Sequence, residues 1–113
     1  MGCVFILKNR AMPDLIKIGY TMETAQKRAD ELSRSTGVPM PFEVAVNFVQ
    51  LELEQCKKLE KEMHRELAEF RVNPRREFFK YPADDAARLL KKLHFSILKE
   101  LRRPRWLQWI PSF

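Results

Sequence analysis

Apolar residues recur at steps of three and four through Cys56, Leu59, Met63, Leu67 and Phe70, and the chain then runs into Glu77-Phe78-Phe79-Lys80-Tyr81. At about 100° per residue those positions form one narrow stripe. The spacing predicts a helix between Leu51 and Arg71 laid on a core, followed by a short aromatic strand. Glu60, His64 and Arg71 gather on one flank of the stripe, apart from the outward Lys58, Lys61, Arg65 and Glu69. A carboxylate and an imidazole four residues apart on a helix sit one above the other. On open surface such a pair is worth a few tenths of a kcal/mol; at the rim of a core it can hold a metal ion and move a proton. Glu77, directly behind Arg75 and Arg76, reads as a cap or as a partner for those arginines.

The rest of the chain supplies what this helix packs on. Cys3-Val4-Phe5-Ile6-Leu7 is a short run of β-formers, predicted as a strand buried on both faces. Met12-Pro13-Asp14 makes a turn, and Leu15-Ile16-Lys17-Ile18-Gly19 returns antiparallel to the first strand. Thr24 suits the N-cap of a helix that carries Ala25, Arg28, Ala29 and Leu32 inward, with Gly37 as its C′ residue. Phe42, Val44, Val46 and Phe48 alternate with Glu43, Ala45 and Asn47, the pattern of a half-buried strand. A last helix from Ala83 to about Leu101 has an apolar stripe of Ala86, Leu90, Leu93, Ile97 and Leu101. Its other side carries Arg88, Lys92, Phe95, Lys99 and Arg102. The order β-β-α-β-α-β-α predicts an α+β fold, a small sheet with helices packed against it.

Charge is divided unevenly over the 113 residues. Residues 1–85 hold fourteen basic and fourteen acidic side chains, so the whole net charge of +6 lies in residues 86–113. A neutral body with a basic end points to an anionic partner. No apolar run approaches the roughly 20 residues of a membrane span, and no signal-peptide pattern is present. Met1-Gly2-Cys3 is not an acylation signal, because Ile6 stands where that pattern requires Ser or Thr. Cys3 and Cys56 sit in apolar patterns without metal-ligand spacing and read as buried, reduced thiols of a cytoplasmic protein. No pattern in the chain specifies an oligomeric state.

Taken in order, the apolar run 3–7, Lys17-Ile18-Gly19, Arg28, Ser35-Thr36-Gly37-Val38-Pro39, Glu60 to His64, and Arg71 leading to Glu77-Phe78-Phe79 resemble the GIY-YIG nuclease superfamily. The similarity is to its compact branch, with Lys-Ile-Gly as second motif and Glu-Phe-Phe as third. It covers residues 2–81, so that residues 1–82 would form the nuclease domain. Residues 83–113 would be a basic helix and Trp/Arg tail packed on it or extending it. The resemblance implies a three-stranded antiparallel sheet flanked by helices and hydrolysis of a DNA phosphodiester with one divalent ion, Mg²⁺ or Mn²⁺. It makes Glu60 the metal ligand and Arg28 a clamp on the scissile phosphate. Lys17 would hold a phosphate or polarise a water, and His64 would move a proton. One position departs from the pattern: the first motif's tyrosine is Phe5, which cannot orient a water, and loss of a positioned base costs about 10²–10⁴-fold in rate. His64 and Tyr20 are the candidates to replace it.

The leading expectation is a metal-dependent DNA endonuclease, weakened by Phe5. Nucleic-acid contacts are expected at Arg71, Arg88, Lys92, Lys99, Arg102 and Arg105. The alternative is a catalytically inactive module that binds nucleic acid or a protein. A third reading has Trp106 and Trp109 of the tail dock a protein partner. No membrane partner is expected.

Overall fold

The computed structural model describes residues 1–35, 37–74 and 77–101. Its elements are β1 (Gly2–Asn9), β2 (Leu15–Thr21), α1 (Ala25–Ser33), β3 (Phe42–Leu51), α2 (Leu53–Glu66), β4 (Phe78–Lys80) and α3 (Ala83–Leu101), with a 3₁₀ turn at Ala68–Phe70. This is the expected α+β order, but the sheet has four strands, in the order β3-β1-β2-β4 and antiparallel throughout, where the resemblance implied three. The added strand is β4, which pairs only Phe78, Phe79 and Lys80 with Lys17, Ile16 and Leu15.

β1 is central and buried on both faces, as its unbroken apolar run requires. Its alternate side chains enter two cores. Val4 and Ile6 join Ile16, Ile18, Leu59, Met63, Leu67, Phe79, Ala86, Leu90 and Ile97 under α2 and α3. Cys3, Phe5 and Leu7 join Ala25, Ala29 and Phe42 under α1. Burying one such aliphatic or aromatic side chain is worth about 1.5–3 kcal/mol, so the larger core anchors α2 firmly against β2. Both cysteines are free and buried, and burial pushes both thiols above their ordinary range. No helix among the described residues is long and apolar enough to cross a membrane.

Four local expectations change. In β3, Ile6 pairs with Val46 but Leu7 with Val44, so Ala45 is an extra residue. That bulge turns Val46 to the α2 core while Phe42 and Val44 stay with the α1 core, which breaks the simple alternation. Phe70 leaves the helical stripe because α2 ends at Glu66; the 3₁₀ turn swings its ring out to 37% exposure, against Tyr81. α1 starts at the Thr24 cap as expected, the hydroxyl accepting from Lys27 N–H, but ends at Ser33, before Gly37. Gly37 instead takes φ 89° in the following turn, where Val38 N–H bonds Ser35 carbonyl. Arg28, expected inward, is exposed, because the narrow inward face of α1 is filled by Ala25 and Ala29.

Candidate functional site

Because β4 covers β2 only as far as Lys17, the outer edge of β2 from Ile18 onward lacks a regular strand partner. Two residues take its place. Ile18 N–H donates to the Glu77 carbonyl at 3.2 Å. The Ile18 carbonyl accepts from Nε2 of His64 at 3.0 Å. A carbonyl can only accept, so this bond leaves the neutral His64 ring with its lone pair on Nδ1. The same edge thus fixes the backbone of Glu77 and the ring of His64, which also packs on Phe79 with centroids 5.1 Å apart.

Glu60 stands one helical turn before His64 on α2, half-buried beside the core residues Leu59 and Met63. One carboxylate oxygen each from Glu60 and Glu77 and one imidazole nitrogen of His64 all lie within 4.8 Å of one another. Burial pushes the Glu60 carboxyl up to about 7, and the negative charge of Glu77 pushes in the same direction. The Tyr20 amide, which donates to Glu60, and the charges of Lys17 and Arg71 pull it back. Lys17 reaches the cluster from β2, with Nζ 3.5 Å from Glu77 Oε2 and 5.2 Å from the centre of the Phe78 ring. Arg71 sits 5.7 Å over the Phe79 ring. Chemically, this is a pair of opposed carboxylates with an imidazole nitrogen, bordered by two cations. Two oxygen donors and an imidazole suit a divalent cation, whose charge would favour the ionised Glu60 that burial and Glu77 disfavour.

Gly19 keeps the approach open. A Cβ there would stand 2.9 Å from Cζ of Phe5, its cross-strand neighbour, and 3.4 Å from Glu77 Oε2. The edge of the Phe5 ring and the Glu77 carboxylate therefore share the space that a glycine leaves empty.

The structure brings together Lys17, Glu60, His64 and, near them, Arg71. Tyr20 contributes its backbone amide, while its ring packs against the larger core. Arg28 is paired with Glu31 at 3.2 Å on α1. Arg88, Lys92 and Lys99 are exposed on α3, and Arg88 pairs with Asp85. Arg102, Arg105, Trp106 and Trp109 lie outside the described residues, as do Thr36, Arg75 and Arg76. Glu77, expected as a cap or a partner of Arg75 or Arg76, which lie outside the described residues, faces Glu60 and His64 and pairs with Lys17. The sequence signal for this placement is register: pairing Lys-Ile-Gly against Glu-Phe-Phe puts Glu77 opposite Ile18.

The T5orf172 domain model matches residues 2–94. The chain belongs to the T5orf172 domain family. That match corrects the GIY-YIG resemblance, since the family found is a distinct one and its match runs beyond residue 81 into α3. Two of the motifs behind the resemblance are strand ends that pair in the sheet, Lys17 with Phe78 and Gly19 with Phe5, so they report sheet-building needs. The T5orf172 family is associated with nuclease-like and DNA-binding modules. No curated protein and no solved structure matches the chain.

Proposed function

We propose that this domain hydrolyses phosphodiester bonds in DNA, using one divalent cation, Mg²⁺ or Mn²⁺, held by Glu60 and Glu77. The observation that carries the reading is the convergence of Glu60, His64 and Glu77 within 4.8 Å, with Lys17 at 3.5 Å from Glu77. The family's association with nuclease-like modules supports it. A cation held there would polarise a phosphoryl oxygen and acidify a water. The residues do the rest. His64, held in one tautomer by the Ile18 carbonyl, offers its lone pair to a proton. Lys17 and Arg71 put positive charge where a phosphate gains negative charge. Arg28 on α1 is exposed and can swing from Glu31 to a DNA phosphate, since an exposed i,i+3 pair is worth at most about 1 kcal/mol.

The test is incubation of supercoiled plasmid with the full chain and Mg²⁺ or Mn²⁺, beside Glu60→Ala and Glu77→Gln. Metal-dependent nicking that both variants lose is the expected result. Undiminished nicking by purified Glu60→Ala would refute the assignment. Tight DNA binding with no cleavage by wild type, at any metal tried, would favour the inactive-module reading instead.

A further inference from the structure

The outer face of α3 carries an unpartnered aromatic ring among cations. Phe95 is 66% exposed, the most exposed aromatic side chain among the described residues. The opposite face of α3, through Ala86, Leu90 and Ile97, is committed to the core, so the helix is anchored and the ring is presented on a rigid support. At about 100° per residue, Arg88, Lys91, Lys92 and Lys99 all fall within about 60° of Phe95 around the helix axis. Lys91, Lys92 and Lys99 make no ion pair among the described residues, whereas Arg88 is tied to Asp85. Lys92 and Lys99 bracket the ring along the axis, about 10 Å apart at 1.5 Å per residue.

From this arrangement we infer that α3 binds single-stranded DNA, with one unpaired base stacked on Phe95 and the flanking phosphates on Lys91, Lys92 and Lys99. The choice of DNA rests on the proposed function; the choice of an unpaired strand rests on the ring. In a duplex the base faces are hidden in the stack, and a phenyl ring on an outer helix face can reach none of them. An unpaired strand exposes both base faces and phosphates, and stacking on an aromatic ring between cations is how such strands are held without regard to sequence. A lipid surface fits less well, since it needs an apolar stripe several residues long, and Phe95 is the one exposed large apolar side chain on this face, Leu98 at its border being half-buried beside Leu51 and Leu59. The same limit applies to a protein groove, which takes apolar anchors at i, i+3, i+4 and i+7.

The test measures binding of the full chain in EDTA to a labelled thymidine oligonucleotide, to the same length of duplex, and to the matching RNA strand. Phe95→Ala and Phe95→Leu should each weaken single-strand binding by about 5- to 150-fold, the worth of stacking one base, and leave duplex binding nearly unchanged. Phe95→Trp should hold or tighten it. Phe95 is exposed, so unchanged melting of the variants is expected and confirms that they fold. Wild-type affinity in Phe95→Leu overturns the inference, because an apolar partner or membrane would accept leucine and a base would not. No single-strand binding by wild type, an equal loss on duplex, or tighter binding to the RNA strand also overturns it. Glu60→Ala keeps this metal-free binding while losing cleavage, so failure of stacking and failure of the nuclease reading are told apart.

Discussion

The edge of β2 and the outer face of α3 use charge in opposite ways. At the edge of β2, charges of both signs converge and each polar side chain is held by a partner: Glu77 by Lys17, Glu60 by the Tyr20 amide, and His64 by the Ile18 carbonyl. Around Phe95 on α3, Lys91, Lys92 and Lys99 are spread along the helix and have no ionic partner among the described residues. Fixed opposing groups hold an ion or a proton at one point and are suited to chemistry. Unopposed like charges attract a polyanion along its length and are suited to binding. On the proposed function, the chain divides reaction from attraction, and separate substitutions test each half.

The sharpest way to break that division is Glu60→Ala. Losing this carboxylate should lower cleavage by about 10³-fold, the several kcal/mol a held cation contributes, while DNA affinity in EDTA stays at the wild-type value. Plasmid nicking and anisotropy on one preparation check both halves; a parallel fall in affinity would mean that the two regions are not separable. The converse variant neutralises Lys92, Lys99, Arg102 and Arg105 together. Every phosphate that these side chains no longer neutralise should flatten the log–log salt slope by about 0.9, two to four units in all, for any DNA sequence. Equal slopes for variant and wild type would assign these four basic side chains to solubility or to a protein partner.

How far each region is legible in the sequence differs for a physical reason. The exposed face of α3, the Thr24 cap and the doubly buried β1 follow from local periodicity, and the structure shows each of them. Glu60 and His64 are legible as a pair because one helix spaces them. Glu77 is not, because its role comes from a three-residue strand whose pairing ends at Lys17 and releases the edge beyond it. Nor is the Ala45 bulge, which is a property of two strands in register. The spacing of Arg28 to Ala25 and Leu32 points it inward, yet two alanines leave a face too narrow to cover it. Sequence periodicity sees one element at a time, and this site is made where three elements meet.

A smaller effect tests how tightly the β2 edge is built. Gly19→Ala places a Cβ at 2.9 Å from the buried Phe5 ring and 3.4 Å from Glu77 Oε2. Overpacking of this kind costs about 1–3 kcal/mol, read as a lower urea midpoint at unchanged m. Because Phe5 is only 1% exposed, its ring has little room to retreat. A variant as stable as wild type would show that the edge yields, and the fixed geometry attributed to it would go with that result.

The smallest predicted effect concerns the cost of charging Glu60 inside the cluster. Burial and the facing Glu77 hold the Glu60 carboxyl at about 7, above the 4.5 of a free glutamate. A raised acid is easier to protonate in the folded chain, so this group favours folding at low pH, and that advantage is lost as pH rises from about 4.5 to 7. Glu60→Gln, which cannot ionise, should therefore melt with wild type at pH 4, pull ahead through that window, and stay ahead by a constant amount at pH 8. For a group that solvent partly screens, the lead is about 1 kcal/mol, or roughly 4 °C in Tm. On α3, by contrast, Lys92→Gln has no opposing charge to relieve and should show no such window. Saturating Mn²⁺ at pH 8 should raise the wild-type Tm and leave that of Glu60→Gln nearly where it was, since binding stabilises only the chain that binds. A stability gap that does not widen between pH 4.5 and 7 would mean that neither burial nor Glu77 opposes a charge on Glu60, and the contrast between the two regions would lose its charged half.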